Sequence, residues 1–121
     1  MKPPQTFREL VVRYASGERD FSGSELDGDP DDDLSNAGLD GVDLSQSFLI
    51  ARLRGASLRN ARFVAANVKG SDFGGADLTG ADFTGAALSG TSFRGAKLDG
   101  TRFAGAVYYS LVLQADDRPD W

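Results

Sequence analysis

From Ala51 to Ala115 a bulky apolar residue returns at every fifth position: Leu53, Leu58, Phe63, Val68, Phe73, Leu78, Phe83, Leu88, Phe93, Leu98, Phe103, Tyr108 and Leu113. A small residue stands two positions before each of the first twelve of these, from Ala51 to Ala106, and the residues around them are mostly polar. Two residues apart on extended backbone share one side, so the small and the bulky residue face inward together while their neighbours face water. Neither a helix nor a strand has period five. Each unit is therefore a short extended piece and a turn, repeated as an all-β solenoid. Glycine closes the units from Gly70 to Gly105, where a chain that turns so often needs permissive backbone dihedrals. A disordered Gly-rich tract would lack the in-phase Leu/Phe column.

The units Ala76-Asp77-Leu78-Thr79-Gly80 and Ala81-Asp82-Phe83-Thr84-Gly85 resemble those of the pentapeptide-repeat family. The resemblance implies a right-handed, quadrilateral β-helix with four units per coil. Residues about twenty apart should then stack on successive rungs. Through one insertion (Asp29 to Asp31) and one deletion (the short unit Ser47 to Ile50), the centres fall into four columns: Phe21, Leu44, Phe63, Phe83, Phe103; Leu26, Leu49, Val68, Leu88, Tyr108; Leu34, Leu53, Phe73, Phe93, Leu113; and Leu39, Leu58, Leu78, Leu98. Outward positions support this register independently. Asp43, Arg62, Asp82 and Arg102 alternate in charge on one face, as do Asp33, Arg52 and Asp72 on another, and opposite charges on adjacent rungs attract. About five coils at roughly 4.8 Å each make a rod of about 24 Å.

The ends of an open solenoid need covers. Thr6 with Glu9 forms a capping box, Phe7, Leu10, Val11 and Tyr14 share a helical stripe, and Gly17 stands at a helix stop. Residues 1–18 are read as an N-terminal capping segment with a short α-helix over Phe7 to Ser16, residues 19–115 as the β-helix, and residues 116–121 as a tail. The run Arg13 to Phe21, which leads into the first unit, resembles cyanobacterial members of the family. At the far end Leu111 replaces the usual small residue, so Tyr108, Tyr109, Leu111 and Leu113 close the rod or meet a second copy.

Composition narrows the chemistry. The chain of 121 residues has no His and no Cys, which removes the commonest general base, the thiol nucleophile and the usual zinc ligands. No motif places a base beside its Ser and Thr residues, and no Lys-Ser or Lys-Thr follows the repeating glycines as in a phosphate loop. The sequence is thus read as non-catalytic, with no cofactor and no metal. Asp27 to Asp33 has carboxylates at alternate positions, as calcium loops begin, but Asp32 stands where such a loop needs Gly and Gly38 where it needs Glu; a solvated bulge is the favoured reading. Net charge is −5, with four Lys/Arg against eleven Asp/Glu in residues 1–50 and eight against four in 51–106. Arg52, Arg54, Arg59, Arg62 and Lys69 concentrate in one coil, yet no basic stripe is paired with outward aromatic platforms, which argues against direct nucleic-acid binding. No apolar run is long enough to span a membrane, and the first sixteen residues are too charged for a secretory signal, so the cytoplasm is the expected compartment.

One face stands apart. Phe48, Ile50, Val107 and Tyr109 occupy outward positions around the Leu49, Val68, Leu88, Tyr108 column, where neighbouring outward positions are mostly uncharged. They mark a candidate surface for an unidentified protein partner or self-association, unless the tail folds back and lays Trp121 over them. The expected function is an interaction or scaffold module. The alternative implied by the family resemblance is a DNA mimic that binds a type II topoisomerase such as gyrase, a role that requires a long, continuously acidic rod.

Overall fold

The repeat can close into a rod only if each coil's backbone pairs with the next, and the pairing is parallel throughout the coils. The computed structural model describes residues 2–27 and 33–121. Arg52, Ser57, Arg62 and Asn67 bridge Asp72, Asp77, Asp82 and Ala87, each twenty residues on, and the same four ladders continue to Ser92, Lys97, Arg102 and Val107. Earlier steps record the two edits. Asp20 pairs with Asp43, a step lengthened by the insertion, and Asp43 with Arg62, a step shortened by the deletion. Apart from Leu113, the four columns expected from the sequence follow these ladders.

Strand β1 (Glu25–Asp27) and strand β2 (Phe48–Ile50) pair in parallel with Leu26 opposite Leu49, forming a wider piece of sheet on the face that carries both edits. Residues 28–32, which hold the acidic insertion and most of the calcium-like run, lie outside the described residues.

Inside the rod, Phe63, Phe83 and Phe103 stack with ring centroids 4.7 and 5.4 Å apart, and Phe73 stacks on Phe93 at 5.2 Å, all within 6° of parallel. Neighbouring columns meet edge to face, as at Phe73 and Phe83, 5.5 Å and 86°. The period-five spacing thus gives Phe63, Phe73, Phe83, Phe93 and Phe103 both favoured aromatic geometries. Outside, the residue before each centre fastens its own turn. The Asp72, Asp77 and Asp82 carboxylates accept the amides of Gly74, Thr79 and Thr84 at 2.8 to 3.1 Å, an Asx turn repeated at corner after corner.

Helix α1 (Phe7–Ala15) covers the first coil. Thr6 Oγ1 accepts the Glu9 amide at 3.0 Å, and Glu9 reaches back to the Gln5 amide at 2.9 Å, one residue earlier than the expected box. At the other end Glu18 N–H bonds to the Arg13 carbonyl and Gly17 N–H to that of Tyr14, with Gly17 at φ +104°: a Schellman stop that needs glycine. Phe7 and Leu10 are buried, whereas Val11, expected on the same stripe, is 39% exposed. The Tyr14 hydroxyl instead ties the helix to the fourth unit of the first coil through the Asp40 carbonyl, at 2.7 Å.

The C-terminal end departs from expectation. The repeat, read as running to residue 115, ends at Tyr108. Strand β3 (Val107–Tyr108) turns through Tyr109 and Ser110 into strand β4 (Leu111–Val112), which pairs with it antiparallel. Regular corners put the positive φ on the second turn residue, as at Gly55 and Gly75; here it falls on the first, Tyr109, at +54°. A left-handed first residue suits a two-residue hairpin, so the chain reverses instead of winding on. Leu113, expected to stack on Phe93, is carried back to Gly105 and Ala106, exchanging backbone hydrogen bonds of 2.9 and 2.8 Å with them.

Candidate interaction face

The ladder Phe48, Asn67, Ala87, Val107 puts all four predicted surface residues on one face, with β4 added as a further rung beyond Val107. Phe48 is 38% exposed, Ile50 46% and Tyr109 64%, while Val107 is half-buried. Phe48 and Ile50 point outward because they flank the inward-facing Leu49 on the extended strand β2. Leu111 and Val112 are both 53% exposed and extend the apolar end of the face. Val112 escaped the sequence reading because its register depends on the hairpin; the absence of glycine at Ser110 was the available signal.

Trp121 does not lie over this strip. Its ring stacks on Tyr108, 4.0 Å and 28°, and presents an edge to Phe93 at 6.3 Å, covering the end of the rod. The side face stays open.

The charged residues divide the faces electrostatically. Among the described residues, the ion pairs of the coils fall on the other three faces: Arg62 with Asp43 and Arg102 with Asp82 at 3.9 Å, Arg54 with Asp72 at 3.2 Å, and Arg59 with Asp40 at 3.2 Å. In the second charged column Arg52 stands on the rung next to Asp72, as expected, while the Asp72 carboxylate pairs with Arg54. Such exposed pairs contribute little individually; their effect is to leave three faces evenly charged. Asp40 is pushed up by burial but held below the ordinary aspartate range by the Ser57 hydroxyl, then by the Arg59 amide and guanidinium. Asp77 is held low by the Thr79 hydroxyl and amide. These carboxylates are engaged in the rod's own turns. Among the described residues no group of acidic side chains could hold a metal ion, and no helix is long and apolar enough to cross a membrane.

The model for pentapeptide repeats matches residues 51–80 and 76–107, with eight copies. Crystallised alr5209, a pentapeptide repeat protein from Nostoc PCC 7120, is 37% identical over 88% of this chain and 82% of that one, with a TM-score of 0.47. The chain belongs to the pentapeptide-repeat family. Rfr23, a pentapeptide repeat protein of the cyanobacterium Cyanothece 51142, is 24% identical over 74% of this chain and 63% of that one, with a TM-score of 0.46. QnrB1, a plasmid-mediated fluoroquinolone resistance protein, is 22% identical over 73% and 47%, with a TM-score of 0.33. None of the curated proteins matches the chain. Membership accounts for the β-helix. Pentapeptide repeats are in general structural and interaction modules, and the shortened unit Ser47 to Ile50 is a departure of this chain from the regular one.

Proposed function

We propose that this pentapeptide-repeat chain is a non-catalytic interaction module that binds a protein partner, or a second copy of itself, through the face of Phe48, Ile50, Val107 and Tyr109. The right-handed wind and square cross-section implied by the family supply a rigid, flat-sided support for it. The observation that carries the reading is the coincidence on one ladder of exposed apolar side chains with the absence of described ion pairs, while the other three faces carry them. Exposed apolar groups gathered on one side of a small rod are the usual mark of a surface that is covered in use. The expected site of action is the cytoplasm, without direct contact to nucleic acid or membrane.

The test compares the wild type with Phe48→Ser/Tyr109→Ser in sedimentation and in pull-downs from the source organism. Loss of self-association or of specific partners in the double variant supports the reading; identical mass and identical partners in both remove it. The topoisomerase-mimic alternative ranks lower, because Arg52, Arg54, Arg59 and Arg62 interrupt any continuous acidic surface. Inhibition or protection of DNA gyrase supercoiling at micromolar protein would reverse that order.

A further inference from the structure

The finished end of the rod holds a bound aromatic side chain in a way that coil geometry alone does not require. In lower coils, the amide of each third-column centre donates to the next coil, as Phe73 N–H does to the Ser92 carbonyl at 2.8 Å. Phe93 has no such coil beyond it. Its N–H donates to the Trp121 backbone oxygen at 2.6 Å. The Trp121 indole stacks on Tyr108, meets Phe93 with its edge, and donates from Nε1 to Thr91 Oγ1 at 3.2 Å. Thr91, itself buried, is oriented by donating to the Leu88 carbonyl at 2.6 Å. One side-chain acceptor, one stacking face and one edge contact thus converge on the Trp121 indole, while the Phe93 amide holds the residue's backbone oxygen. Between the hairpin and Trp121, Pro119 is buried, but Gln114, Ala115, Asp116, Arg118 and Asp120 are exposed and Asp117 bonds within the segment, so the strap is fastened chiefly at its last residue.

We propose that this end is a recognition site for an indole-bearing peptide segment, occupied in cis by Trp121 and open to exchange for such a segment presented in trans. The three contacts to the ring specify tryptophan. Phenylalanine would keep the stacking and lose the donor to Thr91, and a side chain without a ring would lose both. Tethering keeps the cis segment at an effective concentration on the order of millimolar. A trans segment therefore enters only when the strap is displaced or when the competitor is concentrated locally, which makes the strap a guard on the site.

The chain contains a single tryptophan, so its emission reports this contact alone. The receptor for the test is the full chain carrying Trp121→Ala, which has no tryptophan, and the probe is a synthetic peptide of residues Gln114 to Trp121. The expected result is saturable binding with shifted tryptophan emission, weakened about fivefold when the peptide carries Phe in place of Trp, the loss of one hydrogen bond of about 1 kcal/mol. A peptide with Ala there should not bind, and the wild-type chain, its site filled, should bind far more weakly than the receptor. Absence of binding to a folded receptor, or equal binding of the Ala peptide, overturns the proposal. Quenching by acrylamide in the wild type needs no variant: Trp121 should be shielded relative to the free peptide, and equal quenching in both would overturn the proposal as well.

Discussion

The regular coils from Ala51 onward and the edited corner at Ser47–Ala51 solve the same backbone problem by different means. In a regular corner the amide of the small residue closes onto the preceding centre, as Ala56 N–H does to the Leu53 carbonyl at 3.1 Å. The shortened unit puts Leu49 only two residues before Ala51, so that bond cannot form. The Ser71 hydroxyl, from the next coil, takes both roles: it accepts the Ala51 amide at 3.1 Å and donates to the Leu49 carbonyl at 3.2 Å. Ser47 does similar work one coil down, accepting the Ser24 amide at 3.0 Å. At the shortened unit the Ser71 hydroxyl thus repairs the corner, a task that the alanine of an intact corner such as Ala56 does not face. The shortened corner lies on the same face as Phe48 and Ile50, so the irregular corner and the candidate face adjoin each other.

The comparison can be broken at its strongest point first. Phe83 lies between Phe63 and Phe103 in one stack and edge-on to Phe73 and Phe93. Phe83→Ala should cost about 3 to 5 kcal/mol, read by chemical melts, because a rod of stacked rungs collapses poorly into the hole; unchanged stability would contradict the assigned interior. Ser71→Ala comes next. It restores the commonest residue at the small position of the repeat, yet should destabilise by about 1 to 3 kcal/mol, since it strands a buried amide and carbonyl. A neutral result would show that the corner repairs itself without the hydroxyl. The smallest effect has the opposite sign. Ala65 holds φ +56° at a position where glycine is usual, and its side chain is exposed. Ala65→Gly should stabilise by about 0.5 to 1 kcal/mol, relief of left-handed strain outweighing the added freedom of the unfolded chain.

Much of the rod was legible because its information is local and repeated. Each unit states which residues face inward, and twenty-residue stacking follows once the insertion and deletion are counted. The four residues of the candidate face could be placed on one side for the same reason. The charges were legible only to the level of the ladder: Asp72 was assigned to the correct face, but its choice of Arg54 over Arg52 depends on how long side chains cross between rungs. Leu113 was misplaced because periodicity was extended past the residue where the turn changes hand, and of the two alternatives weighed for the strip, the one with Trp121 over it is not the one found.

The amino-acid sequence by itself determined the period, the inward columns, the parallel register and the helical cover, since each is a consequence of which side chains five-residue units can bury. The tertiary structure alone decided how the periodic stretch ends: the reversal at Tyr109, the return of Leu113, and the seating of Trp121 on Tyr108, Phe93 and Thr91. Those contacts join residues far apart in the chain and occur once, so no repetition announces them. They form because the last coil presents apolar rings and an unpaired amide that some later segment must cover.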